Sequence, residues 1–106
     1  MFTSVRTYKG NAAEIEQMLP IIDEKFVPAV SDVPGMCSYQ VIDCGGGAIM
    51  TVSCFETREG VEQSTQMAGE FVRDHLSEFE IERTGVIEGA ARISVAQQGV
   101  LEPAHA

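Results

Sequence analysis

The stretch Met36–Thr57, MCSYQVIDCGGGAIMTVSCFET, decides the fold. Gly45, Gly46 and Gly47 lie between two runs rich in Val, Ile, Tyr, Thr and Phe. Glycines supply the positive φ angles of tight hairpin turns, so the stretch reads as two antiparallel strands. The second run, Ala48 to Phe55, places Ile, Met, Val, Cys or Phe on both of its sides, diluted only by Thr51 and Ser53. A strand buried on one face alternates, so this one is expected to be covered on both. The chain offers one layer of helices, and a second copy of the chain is the simplest cover for the other face.

Upstream, FTSVRTY (Phe2 to Tyr8) is a β-prone run ended by Lys9-Gly10. Asn11 followed by Glu14 has the capping-box pattern. Ile15, Met18, Leu19, Ile22, Phe26 and Val30 then recur at helical spacing and predict a first helix over about 12–31. Pro20 should kink it, since the apolar stripe continues in phase beyond, and Pro28 should loosen its last turn. Val33-Pro34-Gly35 is a turn signal leading into the hairpin.

Downstream, Thr57 can cap a second helix over about 58–78. Its stripe reads Val61, Ser64 or Thr65, Ala68, Phe71 or Val72, His75 and Phe79. A last strand is expected over Thr84 to Ala96, so that Arg6 and Arg92 sit in the first and last strands, which neighbour each other in the expected sheet order. One domain over residues 1–97 is expected, with a frayed tail over 98–106. The order β-α-β-β-α-β is the ferredoxin-like α+β arrangement. Its right-handed crossovers put both helices on one face of a four-stranded antiparallel sheet. The bare face then suits a homodimer packed sheet to sheet.

The 106 residues suffice for one domain with one core, and the 44% apolar content is that of a globular protein. The net charge of −9 repels phosphate backbones and anionic lipid, so no nucleic acid or membrane partner is expected. No apolar run approaches the ~20 residues of a membrane span. The N-terminus lacks a basic-then-apolar signal, which fits a cytoplasmic protein. Cys37, Cys44 and Cys54 form no C-x-x-C pair, so no metal site is expected, and reduced cysteines serving as small apolar core residues are the simplest reading. Cys37 and Cys54 can meet across the hairpin in one of two registers.

Four groups of short motifs carry a resemblance: Phe26-Val27-Pro28, Val33-Pro34-Gly35 leading into Ser38-Tyr39, Phe55-Glu56-Thr57, and Phe71-Val72-Arg73-Asp74-His75-Leu76. In their pattern and order, over roughly residues 2–96, the chain resembles the stand-alone antibiotic-biosynthesis-monooxygenase-like domains of the dimeric α/β-barrel superfamily. The resemblance implies a ferredoxin-like protomer, a sheet-packed homodimer and a cavity between helices and sheet. It implies binding of an apolar or aromatic small molecule, with cofactor-free oxidation as the chemistry. Other members bind and degrade haem, and many have no assigned activity. Oxidising members commonly use Asn and Trp in the cavity. This chain has no Trp, and its sole Asn is Asn11, so those roles pass to no named position.

His75 lies on the apolar stripe of the second helix and is the candidate general base or, alternatively, a haem ligand. As a structural residue it is a half-buried imidazole bonded to a neighbour, and a small change of phase puts Leu76 inward and His75 at the rim. Tyr8 and Tyr39 can stack on or hydrogen-bond an aromatic ligand, or simply pack. Arg6 can hold a carboxylate or phenolate, or pair with one of the 16 acids. Thr51 and Ser53 are hydroxyls in a buried strand that need partners, which neighbouring strands or a ligand can supply. Rival functions are a non-catalytic binding or dimerisation module and a haem binder. The acidic surface disfavours the last, because haem propionates are anions.

Overall fold

The computed structural model describes residues 1–97; the expected tail over 98–106 lies outside the described residues. β1 (Phe2–Gly10) leads to Asn11, whose side-chain oxygen accepts from the Ala13 N–H at 2.9 Å and starts a 3₁₀ turn, Ala12–Glu14. The capping box is only half made. The Glu14 carboxylate accepts instead from the Glu80 N–H at 3.0 Å, tying the helix start to the beginning of the last strand.

The first helical segment runs on as α1 (Ile15–Ile21), a π-helical turn over Ile22–Phe26, and α2 (Val27–Ser31). Pro20 lies inside α1 and cannot donate to the turn before it. The wider π turn follows directly, and Pro28 sits in the first turn of α2, where its missing N–H is harmless. The buried residues Ile15, Met18, Ile22, Phe26 and Val30 are largely those of the expected stripe, so the helix keeps its inward face through both prolines.

β2 (Met36–Gly45) and β3 (Ala48–Phe55) form the hairpin around Gly46-Gly47, with φ of +62° and +88°. Two consecutive positive φ angles make a primed turn whose twist suits the strands. α3 (Arg58–His75) is capped by Thr57, whose Oγ1 accepts from the Gly60 N–H at 3.1 Å. Gly60 has a structural reason: a Cβ there would stand 2.8 Å from the Phe55 ring. β4 (Ile81–Ala90) begins earlier and ends sooner than expected, leaving Arg92 beyond the strand and exposed.

All strand pairings are antiparallel, in the order β2-β3-β1-β4, and this is the ferredoxin-like α+β fold. β3 does alternate. Ile49, Thr51, Ser53 and Phe55 are buried beneath the helices, while Ala48, Met50, Val52 and Cys54 on the other side are only half-buried. On that second face the register aligns Gln40, Val52, Val5 and Ile87 in one row across the sheet. The chain's own helices leave this face bare. The three cysteines are free, but Cys37 and Cys44 are exposed and Cys54 half-buried, so they are not core residues. Burial, followed by the neighbouring Cys54 and Glu56, pushes the Cys37 thiol pKa up. Among the described residues no helix is long and apolar enough to cross a membrane, and no cluster of His, Cys, Asp or Glu could hold a metal ion.

Candidate functional site

The helix-facing side of the sheet is polar at its centre. One register row there contains Val41, Thr51, Arg6 and Val86, and the next contains Tyr39, Ser53, Ser4 and Glu88. Polar residues on the inward face of two central strands require partners from the layer above. α3 supplies them through Ser64 and Thr65, where its otherwise apolar buried stripe is interrupted by a hydroxyl.

Arg6 is fully buried, at 0% exposure. Its hydrogen bonds go to hydroxyls: Nη2 donates to Ser53 Oγ at 3.0 Å, and Nη1 to Thr65 Oγ1 at 3.3 Å and Ser64 Oγ at 3.4 Å. Each hydroxyl of α3 hands its own proton onward, Ser64 to the Val61 carbonyl at 2.8 Å and Thr65 to Glu88 Oε2 at 2.8 Å. The guanidinium charge is therefore spread over neutral groups, and Glu88, itself exposed, is linked to it through Thr65. Among the described residues two buried polar atoms have no partner: Arg6 Nε and Thr51 Oγ1. They belong to directly opposed residues of the β1–β3 ladder.

Beside this polar patch lies a cavity of about 30 Å³ between helices and sheet. Thr51, Tyr8, Tyr39, Phe26, Phe71 and Leu76 are among its walls. The space is apolar almost throughout, with Thr51 and the tyrosines as its polar points. Tyr39 is half-buried, and burial drives its pKa well above the ordinary tyrosine value, while the charge of nearby Arg6 pulls the other way and loses. Its phenol is thus a neutral hydrogen-bonding group. Phe26 packs tilted against Tyr39, ring centroids 5.4 Å apart, and against Phe71 at 5.2 Å.

The Phe26–Phe71 pair also borders an outer groove of about 210 Å³, whose other walls include Lys25, Met67, Glu70, Asp74 and His75. Two phenyl rings thus separate the cavity from a larger opening to solvent. Phe26 ends the π turn, a kind of helix defect common at functional sites.

The expected inward position of His75 is corrected. His75 is exposed at the last residue of α3 and stacks on Phe71 with centroids 4.9 Å apart. Leu76, 2% exposed, takes the inward place. The stripe runs Gly60, Ser64, Ala68, Val72, Leu76, and the chain leaves helical geometry at Leu76 with φ −119°. An exposed imidazole outside the cavity loses its candidacy as the base. Arg6, Tyr8, Tyr39, Thr51 and Ser53 do gather on one side of the sheet: Tyr8, Tyr39 and Thr51 line the cavity, and Ser53 holds Arg6. The first and last strands are neighbours as expected, but Arg92 falls beyond the end of β4 and so does not share the sheet with Arg6. Arg83 is the β4 arginine that reaches α3, donating from Nη1 to the Thr65 carbonyl at 3.1 Å.

No family model matches the sequence, and no curated protein does. Solved structures do. A dimeric ferredoxin-like protein from an uncultured marine organism is 16% identical with a TM-score of 0.69, over 91% of this chain and 98% of that one. A monooxygenase of Streptomyces coelicolor, ActVA-Orf6, in complex with nanaomycin D, is 15% identical with a TM-score of 0.65, over 92% of each chain. The heme-degrader MhuD from Mycobacterium tuberculosis, with two hemes bound in its active site, is 14% identical with a TM-score of 0.69, over 91% of this chain and 100% of that one. Identities this low speak for the fold. The chain shares the ferredoxin-like fold of these structures.

Proposed function

We propose that this chain holds an electron-rich aromatic molecule between helices and sheet, working as a homodimer, and presents it to dioxygen without a cofactor. The observation that carries the reading is the cavity itself: aromatic walls of Phe26, Tyr39 and Phe71 around Thr51, whose hydroxyl is unused, with the unused Nε of its register partner Arg6 buried beside it. Aromatic walls with a few placed polar groups are the common form of a small-molecule site. The fold is shared with a monooxygenase solved in complex with nanaomycin D, which supports the same reading.

At about 30 Å³ the cavity has room for little more than a water molecule. A ring enters only if Phe26 and Phe71 swing apart and join the cavity to the outer groove. Among the described residues no carboxylate or imidazole belongs to the cavity walls, so no side chain there is placed to take a proton. The protein's part is to favour the ionised ligand through the positive charge of Arg6, with Tyr39 orienting it. For an anthrone the balance is one anthrone and one O₂ to one anthraquinone and one water. The ring methylene loses two hydrogens and gains one oxygen, and the second oxygen atom leaves as water.

Oxygen uptake and calorimetric binding with a panel of anthrones and hydroquinones test the reading. Binding with stoichiometric oxygen consumption is expected. Binding without consumption leaves a non-catalytic ligand-binding module, and no binding at all overturns the proposal.

Haem fits this chain poorly. The groove beside His75 carries Glu70 and Asp74 against the cation Lys25, an unfavourable wall for a porphyrin bearing two propionates. Titration with haemin is expected to give no shifted Soret band.

A further inference from the structure

The unused atoms Arg6 Nε and Thr51 Oγ1 are chemically matched. The Arg Nε–H can only donate, and the Thr hydroxyl can donate too. They lie on opposed residues, whose Cβ atoms in an antiparallel pair stand about 5 Å apart. Both are deeply buried, Arg6 at 0% and Thr51 at 5% exposure. Two adjacent buried donors without an acceptor describe a place for one oxygen carrying negative charge. Both Nη atoms of Arg6 have partners in Ser53, Ser64 and Thr65, so Nε is its one nitrogen left without any.

A buried cation surrounded by neutral hydroxyls is costly unless an anion joins it. We infer that Arg6 and Thr51 form a seat for an anionic oxygen, and that the ligand is a hydroxy-aromatic bound as its phenolate or enolate. This rests on the aromatic cavity proposed above and adds the pair of donors that holds the charged oxygen and the direction in which it points. The ring lies against Phe26, Tyr39 and Phe71 while the charged oxygen points at the sheet, toward Thr51 and its register partner. Thr51 itself lines the cavity, so the oxygen reaches the seat from within the apolar space. A neutral hydrocarbon would fill the walls and leave both donors unmet. A phosphate or other bulky, fully hydrated anion would have to leave its water for apolar walls.

Calorimetry with three probes tests the seat: 4-nitro-1-naphthol at a pH where it is ionised, its methyl ether, and 1-naphthoate. The wild-type chain is expected to bind the naphtholate at least about tenfold more tightly than the ether, as a charge-assisted hydrogen bond warrants. Arg6→Met should abolish that preference and leave binding of the ether unchanged. Thr51→Val, which keeps shape and removes only the hydroxyl, should weaken it and guards against a folding defect in the first variant. Equal binding of naphtholate and ether by the wild type overturns the seat while the aromatic cavity stands. Preference for 1-naphthoate overturns the phenolate assignment in favour of a carboxylate. Binding of none of the three overturns the cavity reading itself, and the seat with it.

Discussion

Arg6 and Thr51 face each other across the β1–β3 ladder, each with one buried polar atom that no other described group satisfies. Their neighbour Ser53 is equally buried, but its hydroxyl is in use, accepting from Arg6 at 3.0 Å. The contrast bears on stability. A buried charge needs its partners more than the partners need the charge, because Ser64 and Thr65 keep bonds to Val61 and Glu88 without it.

Ser53→Ala is therefore expected to destabilise the fold by about 1–3 kcal/mol, the cost of taking a partner from a buried polar group. Arg6→Met removes the charge together with its demand and should cost less than Ser53→Ala, or stabilise. Urea unfolding of the two variants beside the wild type reads the order directly. A larger loss for Arg6→Met would show that the guanidinium is a net structural asset with its needs already met.

Tyr39 makes stability depend on alkaline pH. Its pKa is raised in the folded chain, first by burial, with Arg6 opposing. The folded state therefore holds the phenol proton where the unfolded chain, with a tyrosine pKa of about 10, has released it. This contribution is complete below about pH 10 and is lost as pH climbs beyond, at up to ~1.4 kcal/mol per pH unit. Unfolding free energies at pH 8 and pH 11 should fall more steeply for the wild type than for Tyr39→Phe. Parallel slopes would contradict the burial of the hydroxyl.

Much of this arrangement is legible in the sequence, because periodicity and turn chemistry are local. The three glycines mark the hairpin, Thr57 marks the cap of α3, and the apolar spacing from Ile15 to Val30 survives two prolines. Arg6, Thr51 and Ser53 stand out as polar residues in strands that must be buried. Two things were not legible. The inward position at the end of α3 turns on whether the helix closes at His75 or runs on, and the residues at issue, His75 and Leu76, are adjacent. The partners of Arg6 come from Ser64 and Thr65, far away in the chain, and only the docking of α3 on β1 unites them. A polar interruption at Ser64 in an otherwise apolar stripe, opposite polar strand positions, was the available signal.

The Phe26–Phe71 pair closes the cavity from the groove, with centroids 5.2 Å apart. Phe71→Ala should join the two spaces and accelerate entry of a naphthalene probe in stopped-flow binding. The stability cost should stay below the ~3–5 kcal/mol of a fully buried Phe, because Phe71 is half-buried. His75→Ala, one turn along and exposed, should leave ligand binding and any oxygen uptake unchanged. A loss of turnover in His75→Ala with binding intact would restore the histidine as a participant.

The bare sheet face is where a second copy is expected to pack. Ile87 is 74% exposed in the single chain, and it shares a row with Val5 and Val52, whose side chains are only partly covered. A row of this kind wastes apolar area unless another surface meets it, and a two-fold pairing lets one patch serve both copies. Stable interfaces bury on the order of 1,200–2,000 Å². The wild-type chain is expected to sediment as a dimer at micromolar concentration. Ile87→Asp puts a carboxylate in the middle of the apolar row and should yield a monomer with an unchanged far-ultraviolet circular dichroism spectrum, since an exposed edge-strand position contributes little to folding. A wild-type chain that sediments as a monomer would leave this face without a second copy to cover it, and sheet-to-sheet pairing would have to be given up.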